Sequence, residues 1–138
     1  MLFSTIVLNH CGHNDIYLKM IEQKHNDTIL KELNGKYYFN ILDSEDISTS
    51  KANIVFDSKT NKVSGFLGCN RFFGNYILRS QALELGKLGT TKMICEKEQS
   101  KIEKKLLKVF KKARLVYFKE NGFSLYNKNE LLLTASKK

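Results

Sequence analysis

The sequence predicts a fold of the α+β class, mainly β: a strongly curved antiparallel sheet or incomplete barrel, with one amphipathic helix packed across its open side. Three observations point there. Short runs rich in aromatic, β-branched or Leu residues recur at close spacing from Gly35 onward. The intervals between them carry turn residues. One stretch late in the chain leaves this pattern and shows the period of a helix.

The runs fall at 36–42, 53–56, 62–67, 75–78, 82–85, 114–119, 123–126 and 130–134. Between them stand Asp57-Ser58-Lys59-Thr60-Asn61, Arg79-Ser80-Gln81, Glu120-Asn121-Gly122 and Asn127-Lys128-Asn129. Asn121-Gly122 is the strongest turn signal, because both residues tolerate the positive φ of a tight hairpin. Runs joined so closely pair as an antiparallel meander. The helix is expected over 96–113, where Ile102, Leu106, Val109, Phe110 and Ala113 follow the i, i+4, i+7, i+8, i+11 spacing of one face. Ahead of the sheet, the segment 13–33 is polar with scattered apolar residues and suits one or two short helices. No repeat of 20 to 50 residues and no linker divides the chain.

Composition narrows the class. A chain of 138 residues with 42% hydrophobic content can bury a core without metal or partner. A membrane-spanning helix needs about 20 apolar residues, and the longest apolar stretch is the short run Leu2 to Leu8. The formal charge of +9 favours anionic partners. Its weight is reduced by the many Asn and Ile that accompany Lys, a pattern an AT-rich genome imposes without selection for binding.

The strongest local charge feature is the helix itself. Lys97, Lys101, Lys104, Lys105, Lys108, Lys111 and Lys112 occupy an arc opposite the apolar stripe, flanked by Glu96 and Glu103 on one side and Glu98 on the other. This arc is the candidate contact for an anionic membrane or a nucleic acid. A solvated face is the plainer reading, because no aromatic stacking residue or groove-reading motif accompanies the lysines, and nucleic acid is disfavoured.

The N-terminus carries a targeting signal in partial form. A short apolar run leads into Leu8-Asn9-His10-Cys11-Gly12, which resembles the end of a lipoprotein signal with Cys11 as the lipidation site. No Lys or Arg precedes the run, and His10 stands where a small residue is expected. An added strand or helix, or a frayed tail, is the competing reading. His10, Cys11, His13 and His25 meet no established metal-ligand spacing, so no metal is expected. Catalytic and phosphate-binding motifs are absent, and all three histidines precede the expected sheet. The reading is therefore of a protein that is not an enzyme and uses no cofactor.

The most informative stretch is Gly65-Phe66-Leu67-Gly68-Cys69-Asn70-Arg71-Phe72-Phe73-Gly74-Asn75-Tyr76, followed by Thr90-Thr91-Lys92-Met93-Ile94-Cys95. Gly68 and Gly74 permit positive φ or close backbone approach on either side of a short irregular segment. Cys69 and Cys95 bracket the next two strands. A crosslink between them would close a loop of about 26 residues and stabilise the fold by roughly 3.5 kcal/mol in the chain-entropy model. Spacing leaves their separation open, so two buried thiols in a reducing compartment stand as the alternative to a disulfide in an oxidising one. Asn70 and Arg71 are expected to hold the loop's shape, with contact to an anionic ligand as the other reading. Phe72, Phe73 and Tyr76 are expected in the core, with Phe72 and Phe73 as candidate pocket residues.

In combination these motifs resemble the META domain, or HslJ-like, family of bacterial envelope proteins. The match comprises Val63-Ser64-Gly65, Gly68-Cys69-Asn70-Arg71-Phe72 with Gly74 and Tyr76, then Thr91, Met93 and Cys95, and Glu103 on the following helix. Leu33-x-Gly35-x-Tyr37 resembles the family's opening strand, where many members carry a Trp that this chain lacks. The resemblance divides the chain into an extension 1–32, a META domain 33–135 and a tail 136–138. It implies a conical, partly open antiparallel β-barrel with a helix across it, in the periplasm or anchored to the envelope as a lipoprotein, with the cytoplasm as the alternative. It also implies a role in heat shock, stress or novobiocin-type antibiotic tolerance. An apolar small molecule, a lipid or a protein segment would be the partner.

Overall fold

In the computed structural model, which describes residues 32–138, the chain enters its sheet at Gly35, whose φ of 92° only glycine adopts easily. Strand β1 (Gly35–Leu42) is followed by β2 (Glu45–Asp46), a 3-10 turn at Ser48–Ser50, β3 (Asn53–Asp57), β4 (Lys62–Phe66), β5 (Arg71–Arg79), β6 (Ala82–Leu85) and β7 (Gly89–Thr90). Helix α1 (Lys97–Lys112) then precedes β8 (Leu115–Lys119), β9 (Gly122–Asn127) and β10 (Glu130–Ser136). The helices expected within 13–33 fall mainly, and Cys11 and the three histidines entirely, outside the described residues.

All pairings are antiparallel, in the order β10-β9-β8-β6-β5-β4-β3-β1-β2, and β10 also pairs with β1. That last pairing closes the sheet into a ring. It is not a regular barrel, because the link between β6 and β8 is a single residue pair, Ala82 with Leu115. Two backbone bonds support this seam, Leu83 N–H to Arg114 O and Val116 N–H to Gln81 O, at 2.9 and 2.8 Å. The expected mainly β fold, partly open and crossed by one helix, is the fold observed.

Alternation along the strands turns one side chain in two toward the ring's interior. Tyr37, Phe56, Tyr76 and Phe123 meet there edge to face, with centroids 4.9 to 6.2 Å apart. Tyr76 donates its hydroxyl to Leu33 O at 3.3 Å, so its one polar atom is satisfied within the core. A second aromatic group joins sheet to helix: Phe110 lies 5.9 Å from Phe39 and 5.1 Å from Phe72. Leu106, Val109 and Phe110 are the buried residues of α1, and each buried side chain contributes on the order of 2 kcal/mol.

The helix bounds agree with the periodicity. Glu96 is the N-cap residue, and its N–H donates to Gln99 Oε1 at 3.3 Å, one arm of a capping box. Two local expectations are corrected. The β8–β9 hairpin turns on Glu120 and Asn121, and neither Asn121 nor Gly122 has positive φ. Gly122 instead lies in β9, where a Cβ would strike the backbone oxygen of Ala135. Likewise β5 begins at Arg71 rather than at 75 and contains Gly74, so the irregular segment before it is only 67–70. A Cβ on Gly74 would lie 2.7 Å from Leu88 Cδ2, so this glycine provides close approach and Gly68, with φ of 99°, the turn.

Candidate functional site

Two places stand out among the described residues, and the first of them gathers the motif residues singled out from sequence. The first is the loop between β4 and β5. Cys69 and Cys95 form a disulfide with Cα atoms 5.9 Å apart, tying this loop to the segment that leads into α1. Asn70, only 5% exposed, lies beside it. Its Oδ1 accepts from Met93 N–H at 2.6 Å and from Thr91 Oγ1 at 3.0 Å. Its Nδ2 donates to Glu103 Oε2 at 3.1 Å and to Met93 O at 3.5 Å. One amide therefore holds loop, entry segment and helix together. Glu103, on the flank of the basic arc, is half-buried, and its Oε1 has no partner among the described residues.

The other motif residues serve the same junction through their backbones. Arg71 N–H donates to Thr91 Oγ1, and Thr91 N–H to Arg71 O, both at 3.0 Å. The Arg71 side chain is exposed, and Met93 is 65% exposed, so its amide and not its thioether is used. The disulfide is expected to matter as a staple: Cys69→Ala with Cys95→Ala should lower stability by about 3 kcal/mol. A urea midpoint unchanged by the double substitution would contradict this.

The second place is the weak seam, and sequence reasoning missed it. Leu83 N–H still bonds Arg114 O, and beyond it, at Glu84 and Leu85, no strand stands on the outer edge of β6. Ladder alternation turns the N–H and C=O of Leu83 and Leu85 away from β5. Helix α1 faces this edge with Leu107, Phe110 and Lys111, and a cleft of about 1030 Å³ lies between them. Leu83, Leu85 and Leu88 line it from the sheet side. Its volume is at the top of the range of about 300–1,000 Å³ usual for ligand sites. The candidate pocket residues do not line it. Phe72 is a core residue at 1% exposure, and Phe73 points outward from β5 at 57%. One signal was available: Leu107 lies off the helix's apolar stripe, as a residue facing a second surface would.

The basic arc is partly neutralised. Lys105 pairs with Glu45 and Lys112 with Glu130, each at 2.9 Å. Lys97, Lys101, Lys104, Lys108 and Lys111 are exposed. Hydrogen bonding from Lys105, with its charge, holds the Glu45 carboxyl below the usual range, and Glu45 raises Lys105 in turn. A depressed carboxyl adds stability above its unfolded pKa and loses it as pH falls through the folded value. The pair is open to solvent, so screening leaves little of it. Glu45→Gln should barely move the urea midpoint at neutral pH, and the small difference should vanish in high salt or in acid; a large, salt-independent loss would contradict this. Among the described residues no group of three His, Cys, Asp or Glu converges on a point, and no helix is long and apolar enough to cross a membrane.

A closed β-ring crossed by one helix, stapled at one end and open at a seam, defines a small β-ring domain of the META type. The chain belongs to the META domain family, whose sequence model matches residues 30–138. No curated protein matches it significantly. Among solved structures it is similar to a Burkholderia xenovorans protein solved by NMR, at 23% identity and a TM-score of 0.63, covering 82% of this chain and 87% of that one. A second NMR structure is similar at 21% identity and 0.60, covering 75% and 89%. A DUF4847 family protein from Bacteroides vulgatus is similar at 9% and 0.54, covering 77% and 94%. At these identities the likeness shows the fold alone.

Proposed function

We propose that this chain is a non-enzymatic META-domain protein of the bacterial cell envelope that holds an apolar ligand or a partner's segment at the seam cleft, as part of tolerance to stress or to novobiocin-type antibiotics. The cleft carries this reading: it is large, walled by Leu83, Leu88, Leu107 and Phe110, and bordered by a strand edge with no strand beside it. The Cys69–Cys95 disulfide supports an oxidising compartment. Titration with the fluorescent probe N-phenyl-1-naphthylamine should show saturable uptake, lost in Leu107→Asp while the far-ultraviolet spectrum is kept. Linear, nonspecific uptake would refute the binding claim.

A second reading rests on the exposed lysines of α1. It makes the chain a cytosolic protein that binds nucleic acid or an anionic surface. Affinity for DNA or RNA that falls steeply with salt and is lost on changing Lys104, Lys108 and Lys111 to Glu would support it. The same substitutions should leave probe uptake intact if the cleft reading is right.

A further inference from the structure

We infer that the seam cleft takes a single-chain amphiphile with an anionic head, such as a fatty acid; this deepens the proposed function and rests on it. The argument is charge complementarity around an apolar slot. The partly exposed Leu85, Leu88 and Leu107 offer a surface for a hydrocarbon chain, with Leu83 and Phe110 buried behind them. Around them stand Arg79, Lys87, Lys111 and Arg114, against the single acid Glu84. The ion pairs of the described residues, Lys105 with Glu45 and Lys112 with Glu130, engage none of these cations.

The end of α1 would ordinarily oppose an anion, because its last carbonyls carry partial negative charge. Here those of Lys111 and Lys112 are covered. Arg114 Nη1 donates to Lys111 O and to Ala113 O, both at 2.8 Å, and Asn127 Nδ2 donates to Lys112 O at 2.6 Å. Arg114 keeps the N–H groups of Nε and Nη2 for a ligand. The mouth is thus positive while the wall is apolar, which selects against neutral and cationic amphiphiles of the same chain length. A peptide strand fits less well, because the wall opposite β6 is helical side chains and offers no second ladder.

The test is calorimetric titration of the full chain with laurate and with dodecyl maltoside, each below its micellar concentration, and with acetate as the head alone. Laurate should bind about tenfold more tightly than the maltoside, the modest factor that several partly exposed charge contacts supply together. Acetate should give no measurable binding. In Lys87→Gln with Lys111→Gln, both on the surface, the laurate affinity should fall several-fold while the maltoside affinity stays. Equal affinities for the two detergents, or a laurate affinity untouched by the double substitution, overturn the anionic class and leave the apolar cleft standing. Saturable uptake of neither overturns both.

Discussion

Asn70→Asp is expected to destabilise the domain by about 4 kcal/mol at neutral pH, although the two side chains have the same shape. The amide nitrogen that donates to Glu103 Oε2 at 3.1 Å and to Met93 O becomes an oxygen facing two acceptors. Glu103 Oε1 has no partner among the described residues, so the carboxylate would lose its donor and gain a like charge. The sign with pH follows. The introduced carboxyl is charged easily in the unfolded chain and with difficulty in the fold, so its folded pKa lies above about 3.9. The native state then binds the extra proton, and the deficit grows as pH rises through that raised value. Urea unfolding near pH 4.5 and pH 7.5 should show the smaller deficit in acid, where the proton restores a donor. A deficit independent of pH would mean that Asn70 matters only for its size.

Phe110→Ala is expected to cost about 4 kcal/mol, by removing a fully buried ring and leaving a cavity that the rigid sheet cannot fill. The ring is the bridge between α1 and the two strands that present Phe39 and Phe72. Phe110→Leu keeps most of the volume and should cost about 1.5 kcal/mol or less. Chemical denaturation of the two variants separates packing from a need for the aromatic face. Losses of equal size would contradict the packing argument.

Legibility followed range. The helix was readable because its signal lies within 18 residues, with Leu106 and Phe110 on one face and Glu96 at the cap. The hairpins were readable from Ser80 and Lys128, which take the left-handed backbone at φ of 58° and 53°. Closure of the ring was not, because Asn40 and Ser136 pair across 96 residues and nothing local specifies that contact. Gly122 was misread as a turn residue and Gly74 left open between two roles for one reason: a glycine signals either a turn or a close neighbour, and the neighbours here, Ala135 and Leu88, are on another strand or remote. The motif around Asn70 was readable as a loop clamp. Its hold on the helix through Glu103 required the fold. The cleft was the least legible, since it exists only because β6 and β8 part after one residue pair.

The central claim is that this parting makes a binding site. Its most direct test is a two-dimensional amide NMR titration of the isotopically labelled full chain with dodecyl maltoside below its micellar concentration. The expected result is saturable shifts confined to 83–88 on the β6 side and 107–115 on the helix and β8 side, with the amides of Asn70 and Met93 unmoved. Shifts that are linear in detergent, or that gather instead around the outward Phe73 and the exposed Met93 and Ile94, would contradict it.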